Sequence, residues 1–406
     1  MNLLFWLDIG FDRHGPSVHL LKAMIEESLK AGHEVSVILR NTGGNEPNIP
    51  EAWKDQHRLH VEIIRDQEQE KGAFVKRYLD DVLYFFRSES CLRKHPEADA
   101  VFLQSCYLPL VPIWMIHRQK KPVLFNVQNI FPIDAGVLGL LPTRGVKGIP
   151  YRILRWLQQL AYKKADCVVT ISEDMRKTLL GERCVPEKLK VVYNWSYGDE
   201  AAVIPEEENL FLRDHPEFVG KYRVVFAGNM GAMVAPGTIA DAAELLQQEH
   251  EIVFIIIGAG NNMQKLKDMA QNKGLHNMFF FPYQPEEYAR HNYAMAHVNI
   301  NALPQGIIET CMPSKTATML NAAKPMVVAV ETDSDYARIL REVDKCTVVN
   351  WDDARGFAQA ILEKYQGMNR EDSTNSREVF RKYCSCENAK SYVKYMEETA
   401  LRGRDN

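Results

Sequence analysis

The stretch YRVVFAGNMGAMVAPGTIADAAELLQQEHEIVFIIIGAG, residues 222–260, decides how the rest of the chain is read. It opens on an apolar, β-branched run (222–227), breaks at Gly228 and Gly231, and passes through a segment of helical composition (237–248). A second apolar run (252–257) follows and stops at Gly258 and Gly260. Both runs are continuous rather than alternating, as expected of parallel strands covered on both faces. Strand, glycine turn, helix, strand is the repeating unit of a doubly wound α/β sheet, and such sheets bind ligands beyond the carboxyl ends of their strands.

The same alternation extends in both directions. Downstream, strands are expected at 278–282, 298–302, 325–330 and 347–350, with helices at 262–273, 286–296, 314–323 and 335–342. Upstream, strands are expected at 2–8, 34–40, 59–64, 100–105, 122–129, 167–172 and 189–195. A helix over 18–31 places Val18, Leu21, Ile25 and Leu29 on one face and stops at Gly32; another covers 150–164. The stretch 198–220 is rich in Pro and acidic residues and poor in periodicity, so the domain joint is placed there. The expected architecture is two Rossmann-like, doubly wound parallel-sheet domains (1–200 and 201–375) facing an interdomain cleft. A charged helical tail (376–406) packs back on the first. A chain of 406 residues fits two domains at roughly 100–200 residues each.

With 46% hydrophobic and 25% charged residues the chain has a globular composition. Its 49 basic and 53 acidic side chains give a net charge of -4, without the basic field of a general nucleic-acid binder. The longest apolar runs, such as CYLPLVPIWM (106–115), fall well short of the roughly 20 residues of a spanning helix. MNLLFWLDIG lacks a basic leader and carries Asp8, so it reads as a first strand and not as a signal peptide. The eight cysteines form no CxxC pair, so neither a zinc site nor a disulfide framework is expected, and the setting is read as the reducing cytoplasm.

Several strand-end loops could hold an anion. GFDRHGPS (10–17) is either an anion-binding turn at a helix N-terminus or an ordinary strand-to-helix turn. AGNMGAMVAPGT (227–238) and IIIGAGNNM (255–263) add glycine turns around Gly228, Gly258 and Gly260, and FPYQP (281–285) could offer backbone amides to a nucleobase. LPQGIIETCMPSKTATMLNAAKPMVVA (303–329) is the most specific segment. Pro313 and Ser314 read as a helix start capped by Ser or Thr, and Lys315 beside the free amides suits a diphosphate. The alternative is a capped surface helix with a solvated lysine.

Six segments, in order, resemble the GT-B glycosyltransferases of family 4, in particular the bacterial surface-polysaccharide subset. They are the opening 10–39, FNVQNIFPIDAGVLGLL (125–141), KKADCVVTISEDMRKTLL with VVYNWSYGD, VVFAGNMG, FIIIGAGNNMQKL and MPSKTATMLNAAKPMVVA. The resemblance implies a retaining enzyme that takes a sugar from a nucleotide-sugar donor, with UDP as the expected nucleotide, and that needs no metal or other cofactor. It places Gly15 near the donor diphosphate. Gly228 and Asn229 fall on the diphosphate loop, Tyr283 beside the base, and Ser314, Lys315 and Thr316 on the phosphate-binding helix start. The chain departs from the family pattern in several places. The Arg/Lys pair of the Asn229 loop is absent, the two family glutamates fall at Thr310 and Thr318, and a family histidine is Gln128. Glu309 lies one residue from the first glutamate, Asn129 replaces an aspartate of the subset, and Asn194 sits in the PNW-like turn on the acceptor side. On this reading Lys315 and the helix amides stabilise the leaving diphosphate, Gln128 and Glu309 orient the sugar, and Thr318 is a weak ribose contact.

The expected acceptor is a saccharide or a polyprenyl-diphosphate-linked saccharide at the inner face of the cell membrane, with no nucleic-acid partner. The segment PYRILRWLQQLAYKK (150–164) holds Arg152, Arg155, Lys163 and Lys164 and no acidic residue. It reads either as a basic amphipathic helix on an anionic bilayer or as one packed on the sheet; Tyr84, Phe85 and Phe86 mark a second candidate. The competing functions are a non-catalytic scaffold that has kept the fold and a nonhydrolysing UDP-sugar 2-epimerase.

Overall fold

The computed structural model describes residues 1–11, 16–41, 49–66, 74–196, 204–367 and 371–404. They fall into two compact units, Met1–Tyr197 with Cys386–Asn406, and Gly198–Ser385.

The first unit contains β1 (Asn2–Trp6), β2 (Glu34–Asn41), β3 (Leu59–Arg65), β4 (Ala100–Gln104), β5 (Val123–Val127), β6 (Cys167–Thr170) and β7 (Leu189–Val191) in the order β3-β2-β1-β4-β5-β6-β7. Every pairing is parallel; Leu3, for example, stands opposite Val35 on one side and Ala100 on the other. The second unit contains β8 (Tyr222–Ala227), β9 (Ile252–Ile257), β10 (Met278–Phe281), β11 (Val298–Ala302), β12 (Met326–Ala329) and β13 (Cys346–Val349), again all parallel, in the order β10-β9-β8-β11-β12-β13. All six residues of β9, IVFIII, are buried, because helices cover both faces of a parallel sheet. Strand order reverses between β8 and β11, so the loops leaving these two strands diverge and open a crevice at the sheet's carboxyl edge.

Two expectations need correction. The stretch 198–220 is not simply a linker. Within it Leu210–Asp214 is helical, with the Asn209 side chain accepting from the Phe211 and Leu212 amides, and Phe211, Leu212 and Phe218 are core residues of the second unit. The tail is not a single element either. Ser376–Cys384 belongs to the second unit, its Ser376 hydroxyl donating to the Leu320 carbonyl (2.8 Å). Only Asn388–Arg404 packs on the first unit, against the helix Pro16–Lys30 and strands β4 and β5. Its Ala389, Tyr392, Met396 and Ala400 are buried there, four residues apart or close to it, which forms one apolar stripe. Among the described residues, no helix is long and apolar enough to cross a membrane.

Candidate functional site

In the second unit the chain leaves β8 at Ala227 and turns at Gly228 with φ +117°. The loops after β8 and β9 are bound to each other by backbone hydrogen bonds: the Gly228 N–H donates to Ile257 O (2.9 Å), the Met230 N–H to Ala259 O (2.9 Å), and the Asn262 N–H to Met230 O (2.9 Å). Gly258 (φ +133°) and Gly260 (φ +148°) fit because these loops touch. A Cβ at Gly258 would stand 2.0 Å from the Gly228 carbonyl oxygen, and one at Gly260 would stand 2.4 Å from that of Met230. The space beside these two glycines is therefore filled by protein backbone, and their role is to pack the Gly228–Met230 turn. Asn229 is exposed at the tip of that turn.

Lys315 opens the helix Lys315–Ala322, which follows the β11 loop. Its side chain runs back over the end of β8, with Cε 3.9 Å from where a Gly228 Cβ would be and Nζ 3.7 Å from the centroid of the Phe226 ring. Nζ is buried and has no hydrogen-bond partner. Burial alone pulls the amine down to about 7, because a charge removed from water without a counterion is disfavoured. The Tyr293 hydroxyl, 3.8 Å from the same Gly228 position, donates to Ala227 O (2.8 Å) and fixes the strand end from the other side.

The expected Ser cap is absent. Ser314 already has helical dihedrals (φ −61°, ψ −29°) and its side chain makes no capping hydrogen bond; the Thr316 amide donates instead to Pro313 O (3.1 Å). The Thr316 hydroxyl faces inward, 2.8 Å from that of Tyr336, so Thr316 offers no side chain to a ligand. Thr310 is wholly buried and its hydroxyl donates to Ile307 O (2.9 Å). Glu309 is exposed on the same loop, Thr318 is half-buried one turn into the helix, and Tyr283 is exposed after β10. The Gly306 amide donates to Glu331, the first acidic side chain after β12, which ties the β11 loop to the neighbouring strand.

In the first unit Gly15 lies outside the described residues. Gln128, just past β5, belongs to a network of neutral groups. The Asn194 amide donates to the Gln128 carbonyl (2.7 Å), the Gln128 amide donates to Asn126 Oδ1 (3.2 Å), and the Asn126 amide donates to Gln104 (2.9 Å). The Tyr392 hydroxyl, from the last helix, also donates to Asn126 Oδ1 (2.9 Å). This network joins Gln128 to Asn194. It can orient hydroxyl groups, but carboxamides neither take nor give a proton at ordinary pH. Asn129 is exposed beside it and hydrogen-bonds the Asp134 carboxyl.

A charged cluster at the carboxyl edge of β1 and β2 is barely visible in the sequence. Arg40 is buried, donating through Nε to Asp66 (3.0 Å) and through Nη1 to Asp81 (2.8 Å), while Arg87 meets Asp66 at 2.6 Å. Asp8, at the end of the first strand run, is the third carboxyl of the group. Burial and the neighbouring Asp81 push it up to about 7, against the pull of Arg40. An Asp closing an apolar strand was the only signal for it. Phe226, Tyr293, Asn126 and Tyr392 gave no signal, because their partners are distant in sequence. Among the described residues no group of three or more His, Cys, Asp or Glu side chains is placed to hold a metal ion.

A family model described as a glycosyl transferase 4-like domain matches residues 15–195, and one described as glycosyl transferases group 1 matches residues 221–366. The chain belongs to family 4 of the GT-B glycosyltransferases. In this glycosyltransferase the Lys315 turn falls in the group 1 part and the amide network around Gln128 in the 4-like part. WbjE of Pseudomonas aeruginosa, named as a glycosyltransferase, is 27% identical over 321 residues, 78% of this chain and 76% of that protein. WcaI of Escherichia coli K12, whose name assigns it to colanic acid biosynthesis, is 24% identical over 218 residues, 53% of each chain. The crystal structure of Anabaena HepE in complex with UDP-glucose shares the fold at TM-score 0.69 and 13% identity, covering 98% of this chain and 100% of that one.

Proposed function

We propose that this glycosyltransferase moves a sugar from a UDP-sugar to a lipid-linked saccharide acceptor in bacterial surface polysaccharide synthesis, with retention at the anomeric carbon and without a metal ion. The observation that carries the reading is the buried, unpartnered Lys315 Nζ between the Gly228 turn and a helix start, at the edge where strand order reverses. A diphosphate bound there meets an ammonium and the positive end of the helix dipole, which stabilise charge as it develops on the leaving group. The HepE complex supports UDP as the nucleotide, and the name of WcaI supports the pathway. In a front-face mechanism the leaving diphosphate accepts the proton from the acceptor hydroxyl, so no side chain has to act as the base. Gln128 and Asn194 then orient sugar hydroxyls, and Glu309 and Thr318 are the remaining polar candidates on the donor side. The test is release of UDP from a panel of UDP-sugars, with and without extracted polyprenyl-linked acceptor, in EDTA. Acceptor-dependent release that survives EDTA is expected; release only with added divalent metal would overturn the metal-free part.

We further propose that the first unit contacts the inner leaflet of the membrane. Ile149, Ile153 and Trp156 are exposed on the helix Ile149–Lys164 along with Arg152, Lys163 and Lys164. Arg155 does not belong to this face: it makes a bidentate pair with buried Glu182 (2.8 and 3.0 Å). On the second candidate helix, Phe74–Leu92, Tyr84 and Phe85 are core, while Leu79, Leu83 and Phe86 are exposed. Each basic group near an anionic surface contributes about 1 kcal/mol. Changing Arg152, Lys163 and Lys164 to Gln should therefore weaken binding to phosphatidylglycerol vesicles by roughly 100-fold at low salt, and by less as salt rises. Unchanged co-sedimentation would leave these residues as a solvated face.

A further inference from the structure

We propose that Lys315 takes up a proton from solvent when a nucleoside diphosphate enters the site, so that the positive charge facing the donor is created by binding and is not held ready in the free protein. The inference rests on the donor reading above and concerns the state of Lys315 before and after binding.

The geometry leaves an ammonium at this position without compensation. Nζ is buried, lacks a hydrogen-bond partner and lies 3.7 Å over the Phe226 ring. A ring face attracts a cation but accepts no strong hydrogen bond from it. Among the described residues, the elements around Lys315 supply no counterion to Nζ. On β8, Arg223 is engaged at the opposite end of the strand with Met295 O and Glu206. On the helix Ala289–Ala294, Tyr293 donates to Ala227 O, His291 accepts from the Leu210 amide, and Arg290 is exposed. Tyr336 is bonded to Thr316, Glu331 accepts from the Gly306 amide, and Arg377 reaches Asn321 O at the far end of the helix that Lys315 begins. Glu309 is exposed on the preceding loop. Tyr293 and Tyr336, both buried, are held protonated well above the ordinary phenol range.

A diphosphate supplies both missing elements, negative charge and hydrogen-bond acceptors. The lone pair of Nζ then binds a proton from solvent, forming the ammonium; no other bond changes. The amine of the free protein is poised at about 7 and the negative charge of the bound diphosphate raises it. Below about pH 6 the lysine is already charged and binding takes up little. Near pH 8 it is mostly neutral before binding and charged after, so uptake approaches one proton. Donor affinity should accordingly fall by up to about tenfold per pH unit above neutrality.

Calorimetric titration of the whole protein with UDP, near pH 8, in two buffers of different ionisation enthalpy reads the proton count directly. At that pH the terminal phosphate (pKa about 6) is fully ionised, so uptake is assigned to the protein. Nearly one proton in the native protein and almost none in Lys315→Arg, which stays charged throughout, would support the proposal. UDP binding with no uptake would overturn it and leave the donor site intact. If neither UDP nor GDP, ADP and dTDP binds, the donor reading fails and this inference fails with it. Should the Arg variant fold poorly, the native protein still decides: a UDP affinity independent of pH between 6 and 9 would overturn the proposal.

Discussion

Lys315→Ala is expected to cut kcat by about 10–150-fold, the loss of a charge-assisted contact contributing about 1.5–3 kcal/mol. Charge grows on the diphosphate as the glycosidic bond breaks, so turnover should fall more than donor affinity. The fold should tolerate the change. A buried amine without a partner contributes little to stability, and removing it relieves the burial of a group that prefers water. Stability equal to or above the native level with collapsed turnover is the signature to look for in steady-state kinetics beside a thermal melt. Near-normal turnover in a folded variant would mean that something other than Lys315 faces the leaving group.

The second large effect lies in the first unit. Arg40→Met removes the guanidinium shared by Asp66 and Asp81, both almost fully buried, and leaves Asp8 without its nearest counter-charge. Stranding one partner of a buried ion pair costs about 3–5 kcal/mol. For a unit of this size, a transition temperature roughly 6–20 °C lower should follow. Arg87 is half-exposed and meets Asp66 from outside, so Arg87→Met should cost about 1 kcal/mol or less. Equal melting curves for the two variants would show that the cluster is not the buried network described.

The fold was legible because parallel strands announce themselves: runs such as IVFIII are buried on both faces and need no polar alternation. All thirteen expected strands appear. The helix Leu110–Arg118 was harder to read because Pro112 interrupts its pattern, yet proline is tolerated in a first turn, where its missing N–H has no helical acceptor. Gly228 as a turn and Lys315 as the first residue of a helix are legible from local chemistry. Gly258 and Gly260 were not, since a glycine marks a close approach without saying what approaches; here it is the Gly228 and Met230 carbonyls. The direction of the Thr316 hydroxyl is hidden in the sequence for a related reason. A hydroxyl in a motif can point to a ligand or inward, and only Tyr336, twenty residues on, decides. In the sequence Arg155 belongs to a basic face; in the fold it is paired with Glu182, twenty-seven residues on.

The last helix imposes an order on synthesis. Asn388–Arg404 fills a surface of the first unit against β4, β5 and the helix Pro16–Lys30, yet all of Gly198–Ser385 is translated before it. At 5–20 residues per second the ribosome needs roughly 10–40 s for that stretch. Throughout it the nascent first unit exposes the apolar seat of Tyr392, Met396 and Ala400, while Asn126 lacks the Tyr392 hydroxyl that helps to orient it. The second unit is contiguous in sequence and can close as soon as it clears the exit tunnel. The unit made first is therefore the one finished last, and chaperone dependence during translation should be traced to the seat beside β4 and not to the second unit.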